Sequence, residues 1–284
     1  MNAFLESEHP PAAPAAAAFH VIPASMETSV SYGGGARLGP RAIIEASQQL
    51  EADIYGLRPG DLGIHTQKPV APKSKSPAAW LDAIETRVAE ALRHKAVPVL
   101  LGGEHTVTLG AARALRAAGR KVGFLHFDAH ADLRDTYEGS PLSHACVMRR
   151  VHELGFPILQ IATRAVSAEE RDYRRAHRKT LTAYDAIDIA QGDMPPDFIP
   201  RGFPKELYVT FDVDALDPAA MPATGTPVPG GLFWYDVVRI LRKVVAARRI
   251  VGIDMVELAP VKGLHHADFT AALLTQLLMA LALH

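Results

Sequence analysis

Cysteine is nearly missing from this 284-residue chain: Cys146 stands alone, which excludes an internal disulfide and fits a reducing compartment, the cytoplasm being the simplest address. Net charge is nearly missing too. Lys and Arg total 30 against 31 Asp and Glu, a formal charge of -1. No electrostatic footprint for nucleic acid or an anionic membrane follows, and a small molecule is the expected partner. No apolar run is long enough to cross a bilayer. The longest, Phe269 to Leu283, contains Thr and Gln and falls short of the roughly 20 residues a span needs, so it reads as a terminal core helix. The N-terminal stretch MNAFLESEHPPAAPAAAAF carries acids where a signal peptide would be positive, so export is not expected. Neither GK[ST] nor GxGxxG follows the three glycines of SVSYGGGARLGP, which therefore read as a flexible loop and not as a phosphate cradle.

The length alone permits one large domain or two modest ones. Residues 1–18, rich in Ala and Pro, are expected to form a loose arm, either disordered or packed on a neighbouring subunit. Residues 19–284 read as a single domain with no internal repeat and no linker. FHVIP looks like a first strand, and Pro40 suits the first turn of a helix running through RAIIEASQQL. Asp61 to Lys75 reads as a surface connection. Trp80, Ile84, Val88 and Leu92 then recur at helical spacing.

From there strands and helices alternate. AVPVLLGG, KVGFLHF, PILQIAT, ELYVTFDVD and RIVGIDMVEL read as strands. TVTLGAARALRAA, LSHACVMRRVHEL, a segment opening at Ser167 with Glu170 as its capping-box partner, Trp234 to Val245 and the C-terminal run read as helices. Short apolar strands alternating with amphipathic helices predict an α/β fold, with helices on both faces of a mostly parallel sheet. In such sheets ligands bind beyond the carboxyl ends of the strands.

That rule directs attention to VGFLHFDAHADLRD, where a buried strand runs into Asp128, His130 and Asp132. Their two-residue spacing puts the three side chains on one face of an extended segment. Other strands end similarly, in Glu104 and His105, in Asp212 and Asp214, and in Glu257. Each alone has a bland reading as a turn or cap residue. Together, two histidines and four aspartates exceed what one small cation takes and suit two divalent cations with two bridging carboxylates, whose charge the four acids balance. Oxygen-rich, thiol-free donors favour a hard ion such as Mn²⁺ over structural zinc. Paired cations lower the pKa of a shared water and orient it for hydrolysis. Such a site prefers a cationic substrate.

In order along the chain, GGEHT, FDAHADLRD, SHACVMRR, TFDVDALDP, ATGTPVPGG and DMVELAP resemble the motifs of the ureohydrolases, the arginases and agmatinases. The resemblance runs from about Gly33 to the C-terminus. It implies a three-layer α/β/α sandwich, two Mn²⁺ per subunit (with Ni²⁺ or Co²⁺ as alternatives), a homotrimer or homohexamer, and hydrolysis of a guanidino group to urea and an amine. By the same resemblance His105 and Asp132 match ligands of the first metal, and His130 and Asp214 match ligands of the second. Asp128 and Asp212 match the bridging pair. Asp132 also matches the residue that takes a proton from the attacking water, Glu257 the carboxylate that holds the guanidinium, and His144 the relay that protonates the leaving amine. A planar guanidinium pairing with a buried carboxylate through two parallel hydrogen bonds is physically apt.

The chain departs from the family at Glu104 and Thr106, where many relatives read GGDHS, so altered surroundings of an intact ligand His105 are expected. Asp254 is a candidate partner of the ligands or an interior cap, His126 a satisfied core histidine and not a seventh ligand, and Cys146 a small buried residue. The segment LRDTYEGSPLSHA has little to hold an α-carboxylate, which resembles the agmatinase branch and predicts agmatine as substrate, in polyamine synthesis. N1-aminopropylagmatine, guanidinobutyrate, guanidine, formiminoglutamate and arginine are alternatives. Asp135 or Glu138 is expected to pair with a distal amine and Tyr137 to line the pocket. Two other classes stand beside this reading: a one-zinc amidohydrolase of the histone-deacetylase type, and a non-catalytic binding or assembly subunit. The second would be expected to have lost a ligand or Glu257, and none is missing.

Overall fold

The structure is a computed structural model that describes residues 2–283. Strand β1 (Phe19–Ala24) leads to helix α1 (Gly39–Ala46), with Pro40 in its first turn, then β2 (Ile64–Thr66), α2 (Pro77–Arg93), β3 (Val97–Gly102) and α3 (Val107–Ala117). There follow β4 (Val122–Phe127), α4 (Val147–Glu153), β5 (Ile158–Thr163), α5 (Ala168–Ala176), β6 (Leu181–Asp185) and α6 (Ala186–Gln191). The chain closes with β7 (Glu206–Asp212), α7 (Trp234–Val245), β8 (Arg249–Val256) and α8 (His265–Leu281). Among the described residues, eight strands make one sheet in the order β2-β1-β3-β8-β7-β4-β5-β6, and every neighbouring pair is parallel.

Two apolar clusters, one on each face of the sheet, make the three layers. Val99 and Leu101 of β3 join Leu125 and Phe127 of β4 in packing against Ile43, Ile44, Val237, Leu241 and the buried face of α8. Leu100 and Phe124, one residue out of phase, face Leu81, Ile84, Val107, Leu115, Met148 and Val151 of α2, α3 and α4. Alternation with a period of two assigns successive residues to opposite layers, which is why these central strands are apolar throughout.

Register then decides where the polar residues fall. Leu101 pairs with Met255, Met255 with Phe211, and Phe211 with Phe127. The carboxyl ends of β3, β8, β7 and β4 are therefore level and adjacent at the centre of the sheet. These are the four strands whose ends carry the candidate ligands and Glu257.

Four expectations change. Residues 2–18 are not loose: Phe4 and Leu5 belong to the main core, and the Leu5 amide donates to Ser47 Oγ at 2.9 Å and that of Phe4 to Thr66 Oγ1 at 2.9 Å. Composition hid this because two large apolar residues suffice to dock an Ala/Pro segment on its own chain. The Asp61 to Lys75 connection contains the edge strand β2, too short for periodicity to reveal. Residues 181–191 hold β6 and α6, whose half-exposed, polar sequence lacks the apolar signature of the inner strands. The helix expected over LSHACVMRRVHEL opens only at Val147, after a single 3-10 turn at His144–Cys146.

Candidate metal centre

Seven side chains converge beyond that row of strand ends. His105 Nδ1 lies 3.1 Å from Asp128 Oδ2, 3.2 Å from Asp132 Oδ2 and 3.5 Å from Asp212 Oδ2. His130 Nδ1 lies 2.9 Å from Asp214 Oδ2 and 3.5 Å from Asp128 Oδ1. Asp128 thus presents one oxygen to each histidine, the placement a bridging carboxylate requires, and it belongs to both groups of potential ligands. Glu257 closes the pocket that His130, Asp132, His144, Asp212 and Asp214 also line.

Backbone amides hold these acids in place. The His130 amide donates to Asp128 at 2.6 Å, that of Ala129 to Asp214 at 2.9 Å, and that of Asp214 to Asp212 at 2.8 Å. Arg164 reaches under the loop to the carbonyls of Asp214 at 2.6 Å and Val228 at 2.7 Å. Two site residues sit in left-handed backbone, Asp132 at φ 52° and Glu257 at φ 63°, a conformation uncommon outside glycine. Such strain persists only where the surroundings over-determine it. Here the Asp132 carbonyl accepts from the amides of Met148 and Arg149, and the Glu257 amide donates to Gly103.

Proton accounting assigns the histidines. Thr108 gives its hydroxyl hydrogen to Asp254 at 2.8 Å, and Thr210, 3.3 Å from Thr108, donates into the same pair. Thr210 Oγ1 therefore accepts from His105 Nε2–H at 2.8 Å, which leaves Nδ1 as the ring nitrogen that faces the aspartates. That nitrogen is fully buried and has no hydrogen-bond partner among the described residues. For His126 the outcome is opposite. Gln160, whose carbonyl oxygen accepts from Arg174 at 2.8 Å, turns its NH2 to His126 Nδ1 at 2.9 Å. His126 Nε2 then carries the hydrogen and donates it to Asp128 at 2.8 Å. Although His126 is close enough to count among the potential ligands, it has no lone pair to offer there. It is the satisfied core histidine expected, with the added task of orienting a ligand.

The charge balance fits divalent cations. Burial and the nearby Asp128 charge push Asp132 up to about 7, and burial pushes Glu257 up to about 8 against the pull of the His105 amide. Burial, Asp214 and Asp128 drive Asp212 well above the carboxylate range. Burial opposes charge on His130, yet Asp128 and Asp214 raise it to about 12. Acids crowded together out of water favour taking up protons over standing as free carboxylates, and an orphaned histidine nitrogen aims into the cluster. Two divalent cations answer both demands, so the residues fit the group.

On this geometry the comparison with known proteins is decisive. Residues 17–284 match the Arginase family. The chain belongs to that family. It is a metal-dependent amidine hydrolase of the agmatinase branch of the ureohydrolases, with His and Asp side chains clustered as potential metal ligands. The N(1)-aminopropylagmatine ureohydrolase of Synechocystis is 40% identical over 97% of this chain and 92% of that protein. An enzyme of the same name from Thermus thermophilus is 39% identical over 89% of this chain and 86% of its own. The agmatine ureohydrolase of Thermoplasma volcanium superposes with a TM-score of 0.84 at 27% identity, over 99% of this chain and 94% of that one.

Outside the ligands the placement is mixed. Asp254 does support His105, through Thr108 and Thr210, and Cys146 is buried, its thiol pushed up to about 11 by burial. Tyr137 packs edge-on against His144 at 5.8 Å and so touches a pocket residue, while Arg134 lies 5.3 Å over its ring. Asp135 faces solvent and is paired with Arg150 at 2.6 Å and Arg149 at 3.4 Å. Two guanidinium groups already pair with it and it does not line the pocket, and Glu138 is exposed as well.

Sequence reasoning missed Thr210, Gln160, Arg164 and the loop from Ser29 to Gly33, whose Val30, Ser31, Tyr32 and Gly33 wall the pocket. Thr210 was findable, because in a strand it shares a face with Asp212. The flexible glycine loop is in fact braced. The Gly35 amide donates to Glu27 at 2.6 Å, and a Cβ on Gly33 would stand 2.7 Å from the Gly225 carbonyl oxygen.

Proposed function

We propose that this protein hydrolyses the guanidino group of N1-aminopropylagmatine, and of agmatine as its shorter analogue, to urea and the corresponding amine, with two Mn²⁺ ions. The observation that carries the reading is a half-buried carboxylate, Glu257, standing free of arginine or lysine in a pocket already lined by aspartates. Such a pocket takes a cation. Among the described residues no lysine or arginine lines it to hold an α-carboxylate, which argues against arginine, and the exposed Tyr32 with Gly33, Gly225 and Thr226 leaves the mouth open to a longer chain. Similarity to the Synechocystis and Thermus enzymes supports the extended substrate.

His105, Asp128, Asp132, Asp212, Asp214 and His130 would hold the ions, and a hard cation suits their oxygen-rich set. Bound there, the ions would lower the pKa of a water and orient it as the nucleophile. The chain's own residues do the rest. Glu257 accepts two parallel N–H bonds from the guanidinium and so presents the planar carbon to that water. Asp132 takes a proton from the water as it adds to carbon. His144 delivers a proton to the nitrogen that departs as amine, without which the C–N bond does not break readily. Water and the guanidino group are consumed, and urea and amine leave.

The test is urea release by Mn²⁺-loaded protein over a panel of agmatine, N1-aminopropylagmatine, guanidinobutyrate and arginine. The highest kcat/KM is expected for N1-aminopropylagmatine, agmatine next and arginine far below. A preference for arginine would overturn the substrate reading, and no urea from any of them would overturn the function.

A further inference from the structure

We propose that Glu104, acting through Ser29, is a positioning residue that sets the tautomer of His144. The inference rests on the role given to His144 above and extends it to two residues with no part in binding cations or substrate.

Glu104 follows β3, is fully buried, and spends both oxygens on the loop leaving β1. Its Oε2 accepts the amides of Thr28 at 2.5 Å and Ser29 at 2.7 Å, and its Oε1 accepts the hydroxyls of Thr28 at 2.9 Å and Ser29 at 3.1 Å. Four donors on one carboxylate saturate it. Ser29 Oγ in turn lies 3.0 Å from the His144 amide and 3.2 Å from His144 Nδ1.

A hydroxyl has one hydrogen and two lone pairs. Ser29 gives its hydrogen to Glu104 and accepts the His144 amide with one lone pair. Only the second lone pair remains for the ring, so Nδ1 must be the donor. Ser143 Oγ, at 3.4 Å from the same nitrogen, makes the longer contact, and its lone pairs can accept from Nδ1–H as well. Nε2 has no hydrogen-bond partner among the described residues and is left for chemistry in the pocket. When His144 carries hydrogens on both nitrogens, it can release the Nε2 proton to the departing amine and return to the Nδ1–H form without moving. A carboxylate behind a histidine fixes tautomer and orientation in the same way elsewhere. Here a serine hydroxyl is interposed.

Glu104→Gln separates this from a merely structural role. Its carbonyl oxygen replaces Oε2 towards the two backbone amides, because the NH2 group cannot face them. The NH2 then donates to the Thr28 and Ser29 hydroxyls, and the Ser29 hydrogen is turned towards His144 Nδ1. The shape is kept and the tautomer reverses.

The experiment is ¹H–¹⁵N long-range correlation NMR on full-length protein labelled at histidine and loaded with diamagnetic Mg²⁺, with His144→Gln for assignment, alongside steady-state kinetics of the Mn²⁺ form. Expected are an Nδ1–H ring in wild type and an Nε2–H ring in Glu104→Gln. The kinetic counterpart is a fall in kcat of at least roughly tenfold, KM within about twofold and unchanged metal content. Ser29→Ala should lower kcat similarly and Ser29→Thr should restore it, which keeps the test open should Glu104→Gln fold poorly. An Nε2–H ring in wild type, or unchanged tautomer and kcat in the variants, would overturn the relay. Should wild type release urea from no guanidino compound, the proposed function fails while the NMR arm still decides the tautomer.

Discussion

Replacing Thr210 by Val probes how the cluster is held without touching a ligand. Thr210 is fully buried in β7, and its hydroxyl is the acceptor of His105 Nε2–H at 2.8 Å. Valine fills the same space, so no cavity opens and the loss is confined to polar pairing. An unsatisfied buried donor costs about 1–3 kcal/mol. Independently, removing a hydrogen bond that orients a metal-binding histidine costs roughly 10–100-fold in affinity, or about 1.4–2.8 kcal/mol at 1.4 per factor of ten. The two ranges agree, as they should if the same bond is counted twice. Competition against a chelator should therefore show one cation bound about 10–100-fold more weakly, the fold intact by circular dichroism, and Thr210→Ser close to wild type. Binding of both cations within twofold of wild type by Thr210→Val would refute the assignment of His105 Nε2 as the donor and Nδ1 as the ligand atom.

Asp128→Asn should lose both cations and all turnover, because Asp128 faces both histidines; elemental analysis after loading checks it. Glu257→Gln should keep both ions, since Glu257 is no ligand, yet lose about 2–5 kcal/mol of guanidinium binding in the transition state, a fall in kcat/KM of at least roughly thirtyfold. Normal urea release by that variant would remove Glu257 from its role. Leu5→Ala should destabilise by about 2–5 kcal/mol in urea unfolding, because Leu5 is fully buried in the main core; no change would mean the N-terminal segment is not docked in solution. Asp217 is held below its ordinary 3.8 by the Ala219 amide, with the Gly230 and Gly231 amides helping against desolvation. A carboxylate depressed in the folded state stabilises it above the unfolded pKa and loses that contribution as pH falls through the folded value. Asp217→Asn should therefore be less stable than wild type at neutral pH and approach it at acid pH, as thermal unfolding across that range would show.

The chemistry was legible from residues alone. Asp128, His130 and Asp132 alternate behind an apolar strand, and His105, Asp212 and Asp214 follow other strands, so donor types and spacing pointed to a two-cation site. Strand identity was legible for the same reason: inner strands of a parallel sheet are buried on both faces and must be apolar throughout. Elements that rely on neighbours for burial left no such trace, which is why β2, β6 and the docked arm were missed.

Composition and periodicity pointed to helices on both faces of a parallel sheet, to candidate ligands and to metal-assisted hydrolysis. Only the tertiary structure decided that β3, β8, β7 and β4, far apart in the chain, lie side by side with their ends level, because pairing register is a contact between strands and not a property of any one of them. The same holds for hydrogens. Which nitrogen of His105, His126 or His144 carries one depends on partners 2 to 115 positions away, and a sequence that names the residue leaves the proton to be placed by the fold.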